Sequence, residues 1–201
     1  MNPRIVFLFG LLIALQIPGF AEVKTGEEAP DFTLKSIEGK DVSLSDYKGK
    51  IVVLEWFNSE CPFVKKHYKN GDMQALQSKY AAKGVVWLTI NSTNPEHANF
   101  FTDEQTKDLV KKQKIRSTTM LPDPDGDVGK DYGAKSTPHM FIVDAKGNVV
   151  YQGAIDDRPA ADSNPKKATN YVRKALDELL AGKPVSTAET KQYGCGVKYK
   201  S

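Results

Sequence analysis

Cys61 has the strongest case for nucleophilic chemistry in this sequence. It follows a nearly continuous apolar run at residues 51–57, which is typical of a strand buried on both faces. Pro62 comes next, and proline favours the first position of a helix. A cysteine at a helix start meets free backbone N–H groups and the positive end of the helix dipole, and both favour a thiolate. We therefore predict a lowered pKa for Cys61, the alternative being a buried, inert cysteine.

Cys195 is the one possible disulfide partner for Cys61 within the chain. It lies 134 positions later, between Gly194 and Gly196, and glycines let backbone approach closely and move. One interpretation is a permanent disulfide that stabilises the fold by about 5 kcal/mol on the chain-entropy account. A second is a resolving cysteine on a mobile tail, which attacks a mixed disulfide or sulfenic acid at Cys61. A third leaves both thiols unpaired or paired between molecules.

Three polar residues near Cys61 are further candidates. Glu55 lies in the middle of the apolar run, where an ionised carboxylate is rarely buried without a partner and burial raises the carboxyl pKa. The alternative is a solvent-facing residue at a strand end. Asn58 and Ser59 are candidates to donate hydrogen bonds to a thiolate, or are loop residues that face water. His67 is predicted to pack within a helix, and His139 to lie at the surface or at a sheet edge.

Composition limits the class of protein. The chain has 201 residues, 40% of them hydrophobic and 26% charged, which excludes a disordered chain, a collagen-like fibre and a multi-span membrane protein. A net charge of +3 is too small to indicate nucleic-acid binding. Two cysteines and three histidines are too few for a disulfide-rich scaffold or a zinc finger. The sequence carries no metal, haem or nucleotide signature, so we expect no cofactor.

The first 21 residues have the three-part pattern of a secretory signal peptide. Arg4 precedes an apolar run at residues 5–17, and the small residues Gly19 and Ala21 mark a cut before Glu22. The alternative is an uncleaved anchor, but thirteen helical residues span about 20 Å, short of the ~30 Å hydrocarbon core. We therefore expect an exported protein, periplasmic or secreted, with no stable membrane anchor after cleavage. An oxidising compartment would let a disulfide persist.

The first predicted elements form an N-terminal β-hairpin, with strands at residues 29–34 and 41–44 around the turn Glu38-Gly39-Lys40. Residues 51–57 and 84–90 are apolar enough for strands covered on both faces. Helical periodicity joins them over residues 62–82, with a break at Asn70-Gly71.

The second half predicts a helix at residues 103–114 and a hairpin of residues 140–143 and 149–152. A final helix has Asn164 as its N-cap, Pro165 at its first position and Gly182 after its last turn. Strands joined through helices, followed by an antiparallel hairpin, predict a three-layer α/β/α domain with a central mixed sheet over residues 24–184. Residues 185–201 form a tail that carries Cys195.

Four segments resemble a known family. Residues 52–64 (VVLEWFNSECPFV) are similar to the active-site segment of thioredoxin-fold proteins, and residues 136–144 (STPHMFIVD) to their cis-proline loop and following strand. Residues 29–50 resemble the redoxin, or alkyl hydroperoxide reductase/thiol-specific antioxidant, group. Residues 153–159 and 194–200 resemble a peroxiredoxin-like subgroup.

The resemblance implies a thioredoxin-like fold and thiol redox activity. It also implies a cis bond between Thr137 and Pro138 that faces Cys61 and holds an extended substrate backbone. Glu55 would be a buried acid that moves protons during disulfide exchange. The implied partners are a disulfide or peroxide substrate and an unidentified thiol reductant; the sequence does not indicate an oligomeric state.

The sequence departs from that family in ways that bear on its reaction. A thioredoxin has a second cysteine where Val64 stands, so a local dithiol is excluded. A peroxiredoxin has Pro and Thr where Leu54 and Asn58 stand, and an Arg where this chain has Ser136-Thr137-Pro138. These departures favour disulfide exchange, with a thiol peroxidase as the alternative. A third interpretation is a non-catalytic binding domain with a structural Cys61–Cys195 disulfide.

Overall fold

The computed structural model describes residues 22–200, so the predicted signal peptide lies outside the described residues. The chain opens with strands β1 (Thr33–Lys35) and β2 (Asp41–Ser43), which pair antiparallel and confirm the N-terminal hairpin. A 3-10 helix, Leu44–Tyr47, follows.

The next four elements form the first half of the central sheet and its cover. Strand β3 (Val52–Trp56) leads into helices α1 (Pro62–Lys69) and α2 (Asp72–Ala81), which return the chain to β4 (Val86–Asn91). The two strands pair in parallel. Gly71 separates the helices with a left-handed φ of 79°, which confirms the predicted break because glycine adopts this conformation without strain.

The second half begins with helix α3 (Asp103–Gln113), strand β5 (Thr119–Pro122) and helix α4 (Asp127–Asp131). Strand β6 (Ser136–Thr137) ends at a cis peptide bond before Pro138, as expected. Strands β7 (His139–Val143) and β8 (Val149–Gly153) then form the predicted hairpin. Helix α5 (Tyr171–Leu180) and strand β9 (Cys195–Gly196) complete the chain.

The five long strands form one mixed sheet in the order β5-β4-β3-β7-β8. On one face, Val53, Phe57 and Trp87 pack with residues of α1, α2 and α5. On the other face, Leu54 and Trp56 pack with α4 and the N-terminal segment. The sheet is thus covered on both sides, which is the predicted three-layer α/β arrangement.

The predicted start of the last helix is wrong. Asn164 caps a separate 3-10 helix, Pro165–Lys167, whereas α5 begins at Tyr171 with Asn170 as its N-cap. The segment between them is held extended because Thr169 exchanges hydrogen bonds with Asp157 and the Tyr171 N–H donates to the Ile155 carbonyl. These contacts with a distant segment stop the first turn from continuing.

Between residues 22 and 200, no helix combines the length and the apolar character that a membrane crossing requires.

Candidate active site

Cys61 caps the N-terminus of α1. Its backbone is extended (φ −71°, ψ 121°), Pro62 occupies the first helical position, and its carbonyl accepts the N–H of Lys65. The side chain is 2% exposed and packs in the core between the sheet and α1. The chain thus turns from β3 into α1 at Cys61, and the Val64 N–H of the first helical turn contacts both the carbonyl and the sulfur of Cys61.

Cys195 is brought to Cys61 by the tail. Strand β9 pairs antiparallel with β6, which places Cys195 opposite Thr137, next to the cis-proline. Both cysteines are free thiols. The Cys61 thiol donates to the Thr137 carbonyl at 2.9 Å, and the Cys195 thiol hydrogen-bonds to the Cys61 sulfur. The structure therefore brings together Cys61, Cys195, Thr137 and Pro138.

The two thiols have opposite pKa shifts. Burial raises the pKa of Cys61, but hydrogen bonds from the Cys195 thiol, from the Thr137 hydroxyl and from the N–H groups of Cys195 and Val64 lower it by more, so the net shift is downward. Burial, the hydrogen bond to Cys61 and the negative charge of the Cys61 thiolate raise the pKa of Cys195 to about 11. Cys61 is thus the thiol that ionises first, and Cys195 keeps its proton.

A small cavity opens onto the pair. It has a volume of about 100 Å³, and both cysteines line it. Polar side chains form much of the remaining wall: Asn58, Glu60, Asn91, Ser92, Thr93, Asn99 and Lys198. The charge of Lys198 partly offsets the rise in the Cys195 pKa.

Asn58 and Ser59 do not have the arrangement expected of thiolate donors. Asn58 lines the cavity, but its amide N–H donates to the Thr93 hydroxyl at 2.9 Å and its oxygen accepts the Glu60 N–H. Ser59 is buried and does not line the cavity. The donors to Cys61 are instead the Thr137 hydroxyl, the Val64 N–H and Cys195 in the tail.

Glu55 is fully buried in β3, on the sheet face covered by α1 and α2. Its carboxylate accepts hydrogen bonds from Tyr68 at 2.9 and 3.0 Å, from Trp87 at 2.8 Å and from Gln77 at 3.3 Å. Burial raises the pKa of Glu55 to about 7, although these donors oppose the shift. None of its hydrogen-bond partners is a cysteine, and one of them, Tyr68, lies in α1, the helix that follows Cys61.

A buried polar cluster holds the tail just before Cys195; we call it the Tyr193 cluster. The Tyr193 hydroxyl donates to Asp156 at 2.5 Å and lies 3.1 Å from the His67 ring nitrogen and 3.2 Å from the Lys66 ammonium. That ammonium also donates to the Arg158 carbonyl. Burial and the charge of Lys66 lower the pKa of His67 to about 3. The ring is therefore neutral at physiological pH.

The Tyr193 cluster was not predicted from the sequence. His67 packs within its helix region as expected, but its main polar partner comes from the tail. The available signal was the pair Lys66-His67 one turn beyond Cys61, together with Tyr193 two residues before Cys195. Neither pattern predicts that the helix segment with Lys66-His67 contacts the tail segment with Tyr193.

The prediction for His139 is wrong. Its side chain is buried, its ring packs against Phe141 at 4.6 Å, and its Nδ1 accepts the Lys135 N–H at 3.3 Å. It begins the central strand β7, between β3 and β8, which explains the burial. Burial and the charge of Lys135 lower its pKa to about 3, so it is neutral.

Solved structures share this architecture. A hypothetical protein from Sinorhizobium meliloti is 28% identical, with a TM-score of 0.79 over 90% of this chain and 97% of that one. The thioredoxin domain of a thiol-disulfide oxidoreductase from Bacteroides vulgatus is 23% identical, with a TM-score of 0.52 over 65% of this chain and 89% of that one. The chain thus has a thioredoxin-like fold, with a pair of thiols, one buried and one partly buried, beside a cis-proline.

The fold and the thiol pair define an oxidoreductase of the thioredoxin-fold class. Residues 25–152 match the model of the AhpC/TSA family. The thiol-disulfide oxidoreductase ResA of Bacillus thuringiensis is 30% identical over 65% of this chain and 70% of its own length. This chain belongs to the AhpC/TSA family.

Proposed function

We propose that this protein is a thiol-disulfide oxidoreductase in which Cys61 and Cys195 cycle between a dithiol and a disulfide. The observation that carries the proposal is the hydrogen bond between the two thiols, one of them at a helix N-terminus. A thiolate is the attacking species in disulfide exchange, and the surrounding donors favour it at Cys61.

In the first step the Cys61 thiolate attacks a substrate disulfide. A mixed disulfide forms at Cys61, and one substrate sulfur leaves as a thiolate. Part of the rise in the Cys195 pKa comes from the charge of Cys61, and that charge is consumed in this step. The Cys195 pKa therefore falls once the mixed disulfide has formed.

In the second step Cys195 loses its proton and attacks the Cys61 sulfur. The Cys61–Cys195 disulfide forms, and the second substrate sulfur leaves as a thiol after protonation. Over the two steps the protein loses two electrons and the Cys195 proton, and the substrate disulfide becomes one thiolate and one thiol. A thiol reductant returns the pair to its starting state, as the resemblance implied.

Glu55 is proposed to take up and release a proton during this cycle. A pKa of about 7 suits a general acid or base at neutral pH. Glu55 accepts a hydrogen bond from Tyr68, which lies in α1, the helix that Cys61 caps. Replacing Glu55 with Gln should flatten the pH dependence of the second step between pH 6 and 8. An unchanged profile would remove Glu55 from the mechanism.

Peroxide reduction is the alternative reaction, and we propose that it is slow. In a peroxiredoxin a Thr and an Arg polarise the peroxide, whereas Asn58 is engaged with Thr93 and Lys198 is the cation on the cavity wall. Loss of two such donors costs on the order of 10⁴-fold in rate. Second-order rates of the reduced protein with hydrogen peroxide and with a disulfide decide between peroxide reduction and disulfide exchange. A peroxide rate near 10⁶ M⁻¹s⁻¹ would make the protein a peroxidase.

A structural disulfide is the competing non-catalytic interpretation. A structural bond has a reduction potential below about −300 mV, and a working pair lies above that value. We expect equilibration with glutathione or dithiothreitol, read by intact mass, to give a value above −300 mV. Cys61→Ser and Cys195→Ser variants establish that the bond measured is the internal one.

Export is proposed from residues 1–21, whose pattern is that of a signal peptide. We expect the released protein to begin at or near Glu22. N-terminal sequencing that found Met1 on released protein would contradict export with cleavage.

A further inference from the structure

The tail occupies a strand edge directly beside the reactive cysteine. In β9, Cys195 pairs with Thr137 and Gly196 with Ser136, antiparallel to β6. The Val197 N–H donates to the Lys135 carbonyl at 3.3 Å and extends the pairing by one residue. An extended polypeptide binds a sheet by adding a strand to such an edge. Here the chain's own residues fill that place.

Gly194 lets the tail approach this edge closely. Its φ is +136°, and a Cβ there would collide with the carbonyl group of Thr137 and lie 3.3 Å from the nitrogen of Pro138. The backbone of the tail therefore lies against the cis-proline bond itself. Gly196 differs, because a Cβ at that position would meet no atom within 4 Å.

Contacts on both sides of Cys195 hold the tail in this position. On one side is the Tyr193 cluster. On the other, the Lys198 carbonyl accepts the Asn94 N–H at 2.8 Å, and the Tyr199 hydroxyl donates to the Ala134 carbonyl at 2.7 Å. Val197 packs against the hydrophobic core on the sheet face that carries Leu54 and Trp56. A competing strand would have to replace all of these contacts.

The remaining route to Cys61 is narrow. The thiol is 2% exposed, and the cavity that reaches it has a volume of about 100 Å³. This volume accommodates the end of a small molecule, and a polypeptide strand with its side chains needs considerably more space.

We propose that the tail excludes extended polypeptides from Cys61 and that the substrate of this protein is a low-molecular-weight disulfide. This inference rests on the proposed function and adds the size class of its substrate. The Cys61 thiolate attacks one sulfur of the small disulfide, and a mixed disulfide forms as a small thiolate leaves. Cys195 then displaces the second small thiol and closes the internal disulfide. The paired tail thus has two roles, as resolving group and as cover of the edge.

The test compares two disulfides on one protein. The full chain with Cys195→Ser reacts with 2-hydroxyethyl disulfide or with the symmetric disulfide of an extended nine-residue peptide that has a central cysteine. The mixed disulfide at Cys61 is followed by intact mass. The same two rates are measured for N-acetylcysteine, a free thiol, and their ratio gives the intrinsic reactivity of the two disulfides. We expect the ratio of the peptide rate to the small-disulfide rate to be at least tenfold lower for the protein than for N-acetylcysteine.

A matched pair of variants assigns the selectivity to the tail. In the same background, Gly194→Ala places a methyl group against the Thr137 carbonyl, whereas Gly196→Ala places one in open space. We expect Gly194→Ala to raise the ratio of peptide rate to small-disulfide rate at least tenfold, and Gly196→Ala to change it less than twofold. Hydrogen exchange over residues 193–198 reports whether the tail has been released.

Each outcome has one interpretation. A ratio in the parent equal to that of N-acetylcysteine would overturn the inference, and this measurement needs no tail variant. So would a released tail in Gly194→Ala with no change in the ratio. If Gly194→Ala keeps the tail in place, the double substitution Tyr193→Ala and Tyr199→Ala removes the anchors on both sides and takes over the same comparison. Failure of both disulfides to react with Cys61 would instead contradict the proposed function.

Discussion

Cys61 and Cys195 have different roles because the hydrogen-bond donors around the pair point to one sulfur. Cys61 accepts hydrogen bonds from the Cys195 thiol, the Thr137 hydroxyl and two backbone N–H groups, and its pKa is lowered despite burial. The Cys195 S–H donates the hydrogen bond between the two thiols, and the pKa of Cys195 is raised to about 11. The residue types are the same, so the protonation order is set by position alone.

Removing the Cys195 thiol should raise the pKa of Cys61. Cys195→Ala deletes the donor, whereas Cys195→Ser keeps an O–H donor and should shift the pKa less. Thiolate absorbance near 240 nm against pH, or the pH dependence of alkylation, gives the value for each. Equal values in the parent, the Ala variant and the Ser variant would mean that the helix N-terminus and Thr137 alone favour the thiolate.

Glu55 makes the stability of the protein depend on pH. Its pKa is 4.5 in an unfolded chain and about 7 in the folded protein, so the folded state holds the proton more tightly. The corresponding stabilisation is fully present below pH 4.5 and is lost as the pH rises through 7. The difference amounts to about 3 kcal/mol.

Glu55→Gln removes this titration. We expect the unfolding free energy of the variant relative to the parent to increase by up to about 3 kcal/mol between pH 4.5 and pH 7.5. Urea denaturation at several pH values measures the difference. A constant difference across this range would show that Glu55 titrates alike in both states.

At the scale of elements, α1 connects the reactive thiol to the tail. Its N-terminus carries Cys61, and one to two turns later Lys66 and His67 contact Tyr193. Tyr193 in turn lies two residues before Cys195. The helix therefore positions both members of the pair: Cys61 is its N-cap, and its Lys66 and His67 side chains hold the tail next to Cys195.

Tyr193→Phe tests this connection. It removes a hydroxyl that donates to the buried Asp156 and contacts His67 and Lys66, so we expect a loss of roughly 1–3 kcal/mol in unfolding free energy. Tyr171→Phe is the matched control, since the Tyr171 hydroxyl forms no hydrogen bond with any other described residue; its cost should stay within about 0.5 kcal/mol. Hydrogen exchange should also show faster opening of residues 193–198 in Tyr193→Phe.

Local patterns predicted the elements around the site well. The apolar run, Cys61 and Pro62 predicted a strand followed directly by a helix, and β3 and α1 have that arrangement. The Asn70-Gly71 break was also confirmed. The cis bond before Pro138 was confirmed too, but it was implied by the family resemblance and not by a local pattern. Local signals suffice here because periodicity, capping and proline geometry act within a few residues.

The errors involve contacts between distant segments. Asn164-Pro165 has a good helix-start signal, but Thr169 pairs with Asp157 and delays α5 to Tyr171. His139 was expected at an edge because the order of strands in the sheet is not visible in one sequence. The Tyr193 cluster was missed for the same reason, since its members come from three separate parts of the chain.

On the scale of the whole molecule, a disulfide between Cys61 and Cys195 would close a loop that contains most of the fold. The chain between the two cysteines includes α1 to α5 and the central strands that follow β3. A bond between them would therefore restrict about two thirds of the unfolded chain. The redox state of one residue pair is thereby coupled to global stability.

The oxidised protein should be more stable than the reduced protein. On the chain-entropy account a disulfide across 134 positions stabilises by at most about 5 kcal/mol. The same free energy lowers the reduction potential of the pair, by about 30 mV for each 1.4 kcal/mol. A pair that is recycled in each turnover should therefore show a gain well below this limit. Urea denaturation of the two redox forms measures the gain, and Cys195→Ser, in which oxidation forms no internal bond, is the control. An oxidised form no more stable than the reduced one would mean that the native fold strains the bond. A gain at the full limit, together with a potential below about −300 mV, would make the disulfide structural.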